Sequence, residues 1–213
     1  MSAESSFSHV FARALLGEPT HVVGLSDSPR VLPVSAWTRP ADHADHQILG
    51  LCEGTTLDIG CGPGRLTEAL SALGHLALGI DVVEQAVELT RERGGTALHR
   101  DVFDALPGEG RWQTALLADG NIGIGGDPVA LLGRVREVVD PRGRIVVELA
   151  GPGVPASSGW ASLEGEAHRS RPFRWAVVGV DDAAALAQDV GLVVHGLHQI
   201  EDRWVVVLRM DGW

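Results

Sequence analysis

The segment "LDIGCGPGRLTEAL", residues 57–70, places Gly60, Gly62 and Gly64 between an apolar run typical of a strand and a run typical of a helix. Glycines in such a turn let a ligand approach the peptide N–H groups without interference from side chains. A dinucleotide-binding loop follows G-x-G-x-x-G, but its third glycine would fall on Arg65. A phosphate loop of the G-x-x-x-x-G-K-[ST] type is excluded because the chain contains no lysine. The segment therefore predicts a ligand that comes close to bare backbone.

An acidic residue, Asp81, follows the next apolar run in "GIDVV". A carboxylate at the end of a strand can accept hydrogen bonds from both hydroxyls of a ribose, and charge-assisted bonds of this kind contribute about 1.5–3 kcal/mol each. This feature alone suits NAD as well as other ligands that contain ribose. Asp101, in "HRDVFD", follows at the end of the third apolar run.

These segments resemble the class I S-adenosylmethionine-dependent methyltransferases. In that family "LDIGCGPG" is similar to the first motif, "GIDVV" to the acid of the second strand and "HRDVFD" to the segment that contacts adenine. The resemblance covers roughly residues 55 to 150 by motif, and the order of elements extends it to the C-terminus. It implies S-adenosylmethionine as the cofactor and S-adenosylhomocysteine as the product, with the methionine part of the ligand beside the glycines.

The resemblance also implies a role for individual side chains. Asp58 would support the loop and the amino end of the ligand, and Val82 would pack on the adenine. Asp101 and Val102 would hold the amino group and far face of the adenine, and Asp119 would lie near the sulfonium. The expected cofactor-binding residues are Asp58, Gly60, Cys61, Gly62, Gly64, Asp81, Val82, Asp101, Val102 and Asp119.

Elimination within the family narrows the methyl acceptor. Enzymes that methylate amino groups of nucleobases or glutamine resemble one another in an Asn/Asp-Pro-Pro-aromatic tetrad, where this chain has Asp119-Gly120-Asn121-Ile122. Magnesium-dependent catechol methyltransferases have an adjacent Asp-Asn pair, which a glycine separates here. Carbon-5 cytosine enzymes have a Pro-Cys nucleophile, which this chain lacks. A small-molecule acceptor remains, with O-, N- and C-methylation all open.

Few residues are expected to act as acids or bases. Methyl transfer from a sulfonium needs mainly in-line positioning in a dry pocket. Lysine and tyrosine are absent, which leaves His, Asp and Glu as bases. No catalytic residue is assigned; Asn121 and His168 are the candidates, and the segment 151–179 is where this family typically inserts substrate-recognition structure. The candidate substrate contacts are Trp37, Arg39, Asn121, Trp160, His168 and Arg171.

Several of these motifs also admit a structural interpretation. His43 and His46 stand one helical turn apart, a spacing that can chelate a metal, but no third ligand is apparent and no metal site is predicted. Asp127 and Pro128 fit the start of a helix better than a pocket. The tryptophans of 151–179 can instead pack a helical lid, with a solvated face formed by Arg169, Arg171 and Arg174.

Composition bounds the class of protein. A chain of 213 residues with 45% hydrophobic and 21% charged residues predicts one globular domain. The net charge of -11 disfavours nucleic acid as a partner, and no apolar run approaches the ~18 residues of a membrane span. No secretory pattern is visible and only Cys52 and Cys61 occur, so a cytoplasmic protein with reduced thiols is expected. The oligomeric state stays open.

The elements that must position these residues follow from periodicity. From Thr55 onward apolar runs alternate with helical periods, which predicts a parallel sheet covered on both faces. The "LVVHGLHQI" and "RWVVVLRM" segments, separated by two residues, predict an antiparallel hairpin. Strands are expected at 55–60, 76–80, 96–102, 113–118 and 143–149, and helices at 5–16, 41–52 and 181–190 besides those between the strands. The expected fold is α/β: a Rossmann-like, doubly wound, mostly parallel seven-stranded sheet with an antiparallel C-terminal edge hairpin and an N-terminal helical cap.

Residues 1–54 are expected to form a helical and loop cap on a domain at 55–213 that binds S-adenosylmethionine. The leading hypothesis is a methyltransferase that acts on a small molecule. The alternative is a protein of the same fold that binds the cofactor without methyl transfer, as a cyclase-like catalyst or a regulatory subunit. An oxidoreductase with a degenerate NAD loop is disfavoured by Arg65.

Overall fold

A computed structural model describes residues 4–212 of the chain. The helices are α1 (Phe7–Leu15), α2 (Val34–Thr38), α3 (His43–Leu49), α4 (Arg65–Ala72), α5 (Glu84–Glu92), α6 (Pro128–Val138) and α7 (Ala183–Asp189). The strands are β1 (Glu4–Ser5), β2 (His21–Val23), β3 (Arg30–Val31), β4 (Thr56–Ile59), β5 (Ala77–Asp81), β6 (Ala97–His99), β7 (Trp112–Leu117), β8 (Val139–Leu149), β9 (Ser157–Glu164), β10 (Arg169–Ser170), β11 (Phe173–Val177), β12 (Leu192–Ile200) and β13 (Arg203–Met210).

The main sheet has seven strands in the order β12-β13-β8-β7-β4-β5-β6. The five strands from β8 to β6 run parallel to their neighbours, whereas β13 pairs antiparallel with β8 and with β12. The predicted C-terminal hairpin is confirmed: Ile200 pairs with Arg203, and Glu201 adopts the positive φ of 54° that the tight turn requires. The five predicted parallel strands all appear, with shifted ends.

Helices pack on both faces of this sheet because its central strands are apolar on both sides. On β7, Ala115 and Leu117 join the buried cluster that contains the apolar faces of α6 and α7. Leu116, which points the other way, joins the cluster that contains α3 and α4. Each fully buried aliphatic side chain contributes about 1.5–3 kcal/mol relative to an exposed one.

A second, smaller sheet covers one end of the molecule. Its presence contradicts two expectations from the sequence. The N-terminal region is not only helices and loops, because β1, β2 and β3 join β9, β10 and β11 in this sheet. The helical lid considered for residues 151–179 is wrong. The physical reason is pairing on both sides of β9, where Leu163 pairs with Val22 of β2 and Ala161 pairs with Phe173 of β11.

The position of the site follows from this architecture. The carboxyl ends of the parallel strands β4, β5 and β7 meet at one edge of the main sheet, which is where ligands bind in open α/β sheets. The loop 60–64 leaves β4 there, and Asp81 ends β5. The small sheet, together with α1 and α2, covers this edge.

Candidate functional site

A cavity of about 600 Å³ lies between the carboxyl ends of the parallel strands and the small sheet with α1 and α2. This volume is within the range of about 300–1,000 Å³ that is usual for ligand pockets. Eleven of the predicted site residues line the cavity: Trp37, Asp58, Gly60, Cys61, Gly62, Asp81, Val82, Asp101, Val102, Asp119 and Asn121. The cavity therefore brings together almost all of the predicted cofactor-binding residues.

The loop after β4 leaves space for a ligand, whereas its N–H groups at positions 60–62 already have acceptors within the protein. A Cβ built on Gly62 would meet no atom within 4 Å, so this side of the loop is open. The N–H groups of Gly60 and Cys61 donate to the carbonyl oxygen of Ile80, at 2.9 and 3.0 Å, and the N–H of Gly62 donates to Asp81. The expectation of unpaired N–H groups at these three positions is not supported, because the loop is tied to β5.

Gly64 has a role in packing and does not line the cavity. It precedes α4 with φ of 83°, and a Cβ there would lie 2.7 Å from Cα of Thr90. Since Thr90 lies on α5, only a glycine allows the start of α4 to approach α5 this closely.

Asn121 acts on the loop itself. Its side-chain Nδ2 donates to the carbonyl oxygens of Ile59 and Gly60, both at 2.9 Å. A Cβ on Gly60 would lie 2.8 Å from that nitrogen, so the clamp needs glycine at position 60. Asn121 therefore fixes the turn after β4, and its amide donors are not free for a substrate.

Asp81 faces the cavity from the end of β5. Its Oδ2 accepts from the N–H of Gly62 at 2.9 Å, and its Oδ1 accepts from the N–H of Val83 at 2.8 Å. Burial raises the pKa of this carboxyl, and the bonds from Val83 and Gly62 oppose that rise. Each oxygen keeps a second lone pair, which is what a pair of ligand hydroxyls requires.

Asp58 is a buried carboxyl beneath the loop, 2% exposed. Thr67 donates its hydroxyl to Oδ2 at 2.6 Å. The pKa of Asp58 is raised to about 7, mainly because the carboxyl is buried. The hydrogen bond from Thr67 opposes this rise, and the negative charges of Asp119 and Asp81 add to it. A cationic group bound in the cavity would favour the ionised form of this carboxyl.

Asp119 is held by two arginines in a backbone conformation that is rare for a residue with a side chain. Its φ is 53°, which costs roughly 1–3 kcal/mol unless the surroundings impose it. Arg65 Nη2 donates to its Oδ2 at 2.6 Å, and Arg203 Nη2 donates to its Oδ1 at 3.3 Å. Its own N–H donates to Glu148 at 2.7 Å. Burial raises the pKa of Asp119 and the attraction of Arg65 opposes the rise.

Arg65, where a dinucleotide loop would have its third glycine, is only 4% exposed and also pairs with Asp45 on α3. Burial opposes ionisation of Asp45, but hydrogen bonds from Arg65 and Arg203 hold its pKa well below the usual range. This network of buried charges is not predicted by the sequence patterns described above. The arginine in the glycine-loop pattern was a signal that something acidic lies opposite it.

Two exposed apolar side chains line the cavity on the side of β5 and β6. Val82 is 40% exposed and Phe103 is 46% exposed. Asp101 lies between them in the chain and accepts the N–H of Phe103 at 3.0 Å through Oδ1, which leaves Oδ2 for a ligand. This arrangement fits a flat, polar-edged ring such as adenine.

Four predicted substrate contacts do not line the cavity. Arg39 pairs with the carboxylates of Asp42 and Asp45 at 2.8 and 2.7 Å. Trp160 is 60% exposed, and the imidazole of His168 packs edge-on against that of His9 with centroids 5.1 Å apart. Arg171 is the fourth; its side chain is exposed. The structure therefore places His168, a candidate catalytic residue, away from the cavity.

The sequence predicts only part of the aromatic lining, because Trp37 is an expected substrate contact but none of the phenylalanines is. All four phenylalanines of the chain line the cavity, as do Trp37 and Trp175. In the sequence, Phe7 and Phe11 lie four residues apart in the helix predicted at 5–16, a spacing that places them on one helix face without indicating what that face contacts. The available signal was that the chain has few aromatic residues and that several of them lie in segments outside the parallel sheet.

Asp127, His43 and His46, whose motifs also admit a purely structural role, each contact neighbouring groups of the protein. Asp127 caps α6 by accepting the N–H of Ala130 at 3.0 Å, as predicted. His46 Nδ1 lies 2.6 Å from the carbonyl oxygen of Asp42, and His43 lies 2.8 Å from Gln47. Among residues 4–212, no three His, Cys, Asp or Glu side chains are grouped so that they could hold a metal ion. In the same range, no helix combines the length and apolar character needed to cross a membrane.

Comparison with known proteins adds to the geometry. Residues 56–143 match the family described as methyltransferase domain. A ubiquinone biosynthesis O-methyltransferase of Bordetella bronchiseptica is 28% identical over 127 residues, which are 59% of this chain and 48% of the relative. The chain spans between 21% and 48% of the length of three curated relatives of that name.

Solved structures share the fold at low sequence identity. A SAM-dependent methyltransferase from Bacteroides fragilis, in complex with S-adenosyl-L-homocysteine, matches with a TM-score of 0.81 at 18% identity, over 97% of this chain and 95% of that one. A Burkholderia thailandensis 1,6-didemethyltoxoflavin-N1-methyltransferase matches with a TM-score of 0.60 at 19% identity, over 82% and 80%. Residues 56–143 thus match a methyltransferase domain, and the chain shares its fold with SAM-dependent methyltransferases of known structure.

Proposed function

We propose that this protein transfers the methyl group of S-adenosylmethionine to a small-molecule acceptor. The observation that carries the proposal is the joining of two different surfaces in one cavity. One surface has the open loop at Gly62 and the carboxylates Asp58 and Asp81, and the other consists of apolar side chains from α1, α2 and β11 together with Arg174. The family match and the curated relatives support the same activity.

The residues present fit the cofactor part by part. Asp81 has lone pairs for the ribose hydroxyls, and Val82 with Phe103 offers apolar surface for the adenine. The open side of Gly62 gives room for the methionine part, and Asp58 supplies a carboxylate for its amino group. When bound, S-adenosylmethionine supplies an activated methyl group.

The chain contributes positioning and exclusion of water. The described cavity lining contains no histidine, and its carboxylates already accept hydrogen bonds from Thr67, Gly62, Phe103 and Arg65. No side chain is therefore assigned as a general base, and the acceptor brings its own nucleophilic atom. An apolar enclosure holds this atom in line with the methyl carbon, so that the bond between sulfur and the methyl carbon breaks as the new bond forms and S-adenosylhomocysteine leaves. An acceptor that reacts through an O–H or N–H group releases its proton to solvent.

The direct test uses methyl-labelled S-adenosylmethionine with a panel of small-molecule phenols, amines and carbon acids. Formation of labelled product together with S-adenosylhomocysteine is the expected result. Binding of S-adenosylhomocysteine without turnover of any acceptor would instead favour a protein that only binds the cofactor. Absence of both binding and turnover would contradict the proposal.

We also propose finer assignments that accompany this function. Residues 55–213 are the cofactor-binding domain, and residues 1–54 contribute to the cover over its cavity. The net charge of -11 argues against a nucleic-acid partner. Cys52 and Cys61 are free thiols, which supports a cytoplasmic location.

A further inference from the structure

Five aromatic side chains form a continuous wall on one side of the cavity, which we call the aromatic wall. The ring centroids lie 5.8 Å apart for Phe11 and Trp37, 5.3 Å for Phe7 and Phe11, 4.8 Å for Phe7 and Phe173, and 6.3 Å for Phe173 and Trp175. All five residues line the cavity, and all are half-buried, with part of each ring left uncovered by protein.

Three separate segments build this wall. Phe7 and Phe11 are one turn apart on α1, Trp37 lies in α2, and Phe173 and Trp175 project from the same side of β11. Aliphatic residues complete this side of the cavity: Val22, Leu25, Leu32 and Leu163. These nine side chains contain neither a hydroxyl group nor a charge, since the chain has no tyrosine.

We propose that the methyl acceptor is a flat, uncharged aromatic molecule that stacks on the aromatic wall. This inference rests on the proposed function, since it names the substrate class of the same cavity. Phe7 and Phe11 are stacked with planes that differ by 24°, and Trp37 is tilted by 35° against Phe11, so these three rings pack as a group beside the cavity. Phe173 and Trp175 stand at 87° to each other and offer ring edges. Stacked and edge-to-face contacts are the two arrangements that aromatic pairs prefer.

The charges of the cavity argue against a cationic acceptor. Aromatic rings can bind an ammonium group, but a desolvated cation also needs anionic or carbonyl partners. The carboxylates that line the cavity all belong to the parallel-strand side: Asp58, Asp81, Asp101 and Asp119. Among the lining residues of α1, α2 and β11 the charged one is a cation, Arg174, which donates to Ser158 at 2.8 Å and lies over the ring of Trp160. An uncharged ring gains the stacking energy without this desolvation cost.

The experiment measures binding of three probes to the protein saturated with S-adenosylhomocysteine, by isothermal titration calorimetry. The probes are 2-naphthol, its saturated analogue decahydro-2-naphthol, and tetramethylammonium. We expect 2-naphthol to bind about tenfold more tightly than the saturated alcohol, because ring contacts add about 0.5–1.5 kcal/mol per pair beyond burial. Phe11→Leu and Phe173→Leu should each weaken 2-naphthol binding about fivefold. Leu76→Ala is the control, since Leu76 is 71% exposed and does not line the cavity, and should leave binding unchanged.

The outcomes separate this inference from the proposed function. Equal binding of 2-naphthol and decahydro-2-naphthol, or no binding of either, would overturn the aromatic assignment while S-adenosylhomocysteine binding kept the proposed function. Preferential binding of tetramethylammonium would identify a cationic acceptor instead. Failure to bind S-adenosylhomocysteine would count against the proposed function itself. The comparison of probes on the unmodified protein decides the question even where a leucine variant fails to fold.

Discussion

The carboxylate of Asp81 accepts the N–H of Gly62, so the end of β5 and the loop after β4 are joined by a hydrogen bond of 2.9 Å. This bond spans the place where the ribose and the methionine part of the proposed cofactor would meet. One side chain therefore has two tasks: it ties the loop to β5 and it faces the cavity.

Replacement of Asp81 tests the second task. We expect Asp81→Asn to weaken binding of S-adenosylhomocysteine at least about tenfold, because charge-assisted bonds to the ligand are lost. Isothermal titration calorimetry measures the change. Asp104→Asn is the matched control, since Asp104 is exposed and does not line the cavity. Equal affinities in the two variants would mean that the ribose is held elsewhere.

The raised pKa of Asp58 predicts a pH dependence. Its pKa of about 7 means that the carboxyl takes up a proton as the pH falls below 7, and a ligand ammonium binds the ionised form better. The affinity for S-adenosylhomocysteine should fall up to about tenfold per pH unit below pH 7 and level off above it. In Asp58→Asn the affinity should be weaker and flat across this range. A pH dependence unchanged by the substitution would refute the assignment.

The same carboxyl affects stability in a defined direction. Because the folded-state pKa is raised above the ordinary value of 3.8, this group favours the folded protein below pH 4, and that contribution is lost as the pH rises through about 7. The free energy of unfolding of Asp58→Asn relative to the unmodified protein should therefore increase between pH 4 and pH 7. Denaturant titrations at several pH values measure this difference, and a constant difference would contradict it.

Glycine substitutions separate binding from folding. Gly62→Ala places a methyl group on the open side of the loop, so the variant should fold but lose cofactor affinity. Gly74→Ala is a control with a similar positive φ, 88°, and no atom within 4 Å of its Cβ, far from the loop. Both should lose about 1 kcal/mol of stability from backbone strain. Only Gly62→Ala should lose binding of S-adenosylhomocysteine in calorimetry.

Gly64→Ala should behave differently from both. The added Cβ would lie 2.7 Å from the backbone of Thr90, so the cost of overpacking, about 1–3 kcal/mol, adds to the strain. Denaturant unfolding should therefore show a clearly larger loss than in Gly74→Ala. Equal losses would show that α4 and α5 can separate without cost.

The buried ion pairs predict a large stability effect. Arg65→Met removes a buried cation from the fully buried carboxylate of Asp45, and breaking such a buried pair costs about 3–5 kcal/mol, although Arg39 and Arg203 still contact Asp45. The control is Arg13→Met, whose bridge to Glu18 is near the surface and contributes at most about 1 kcal/mol. Denaturant unfolding measures both. Similar losses in the two variants would contradict the role of the buried network.

Local sequence patterns were sufficient for the parallel strands and for the residues at their ends. Strands β4, β5 and β7 are nearly continuous apolar runs, so their ends, and hence Asp81 at the end of β5, could be located. The small sheet could not be predicted in this way. Its pairing of Val22 with Leu163 joins segments far apart in the chain, and β9 is exposed over its first half.

Side-chain roles were predicted less well than positions. Residue type alone favoured His168 as a base and Asn121 as a substrate contact. In the structure the His168 ring packs against His9, and the Asn121 amide clamps the turn at Gly60. Neither partner is near in sequence, so no local pattern could distinguish a group that supports the backbone from one that meets a ligand.

The contact between Phe7 and Phe173 joins α1 to β11, two of the segments that carry the aromatic wall. The aromatic wall is carried by α1, α2 and β11, whereas the proposed cofactor contacts lie in β4, β5 and the turns after β4, β5 and β6. Substitutions in the wall segments are therefore expected to change the choice of acceptor and to leave the proposed cofactor contacts intact. The fold thus places the residues proposed to select the acceptor and the residues proposed to bind the cofactor in different segments of the chain.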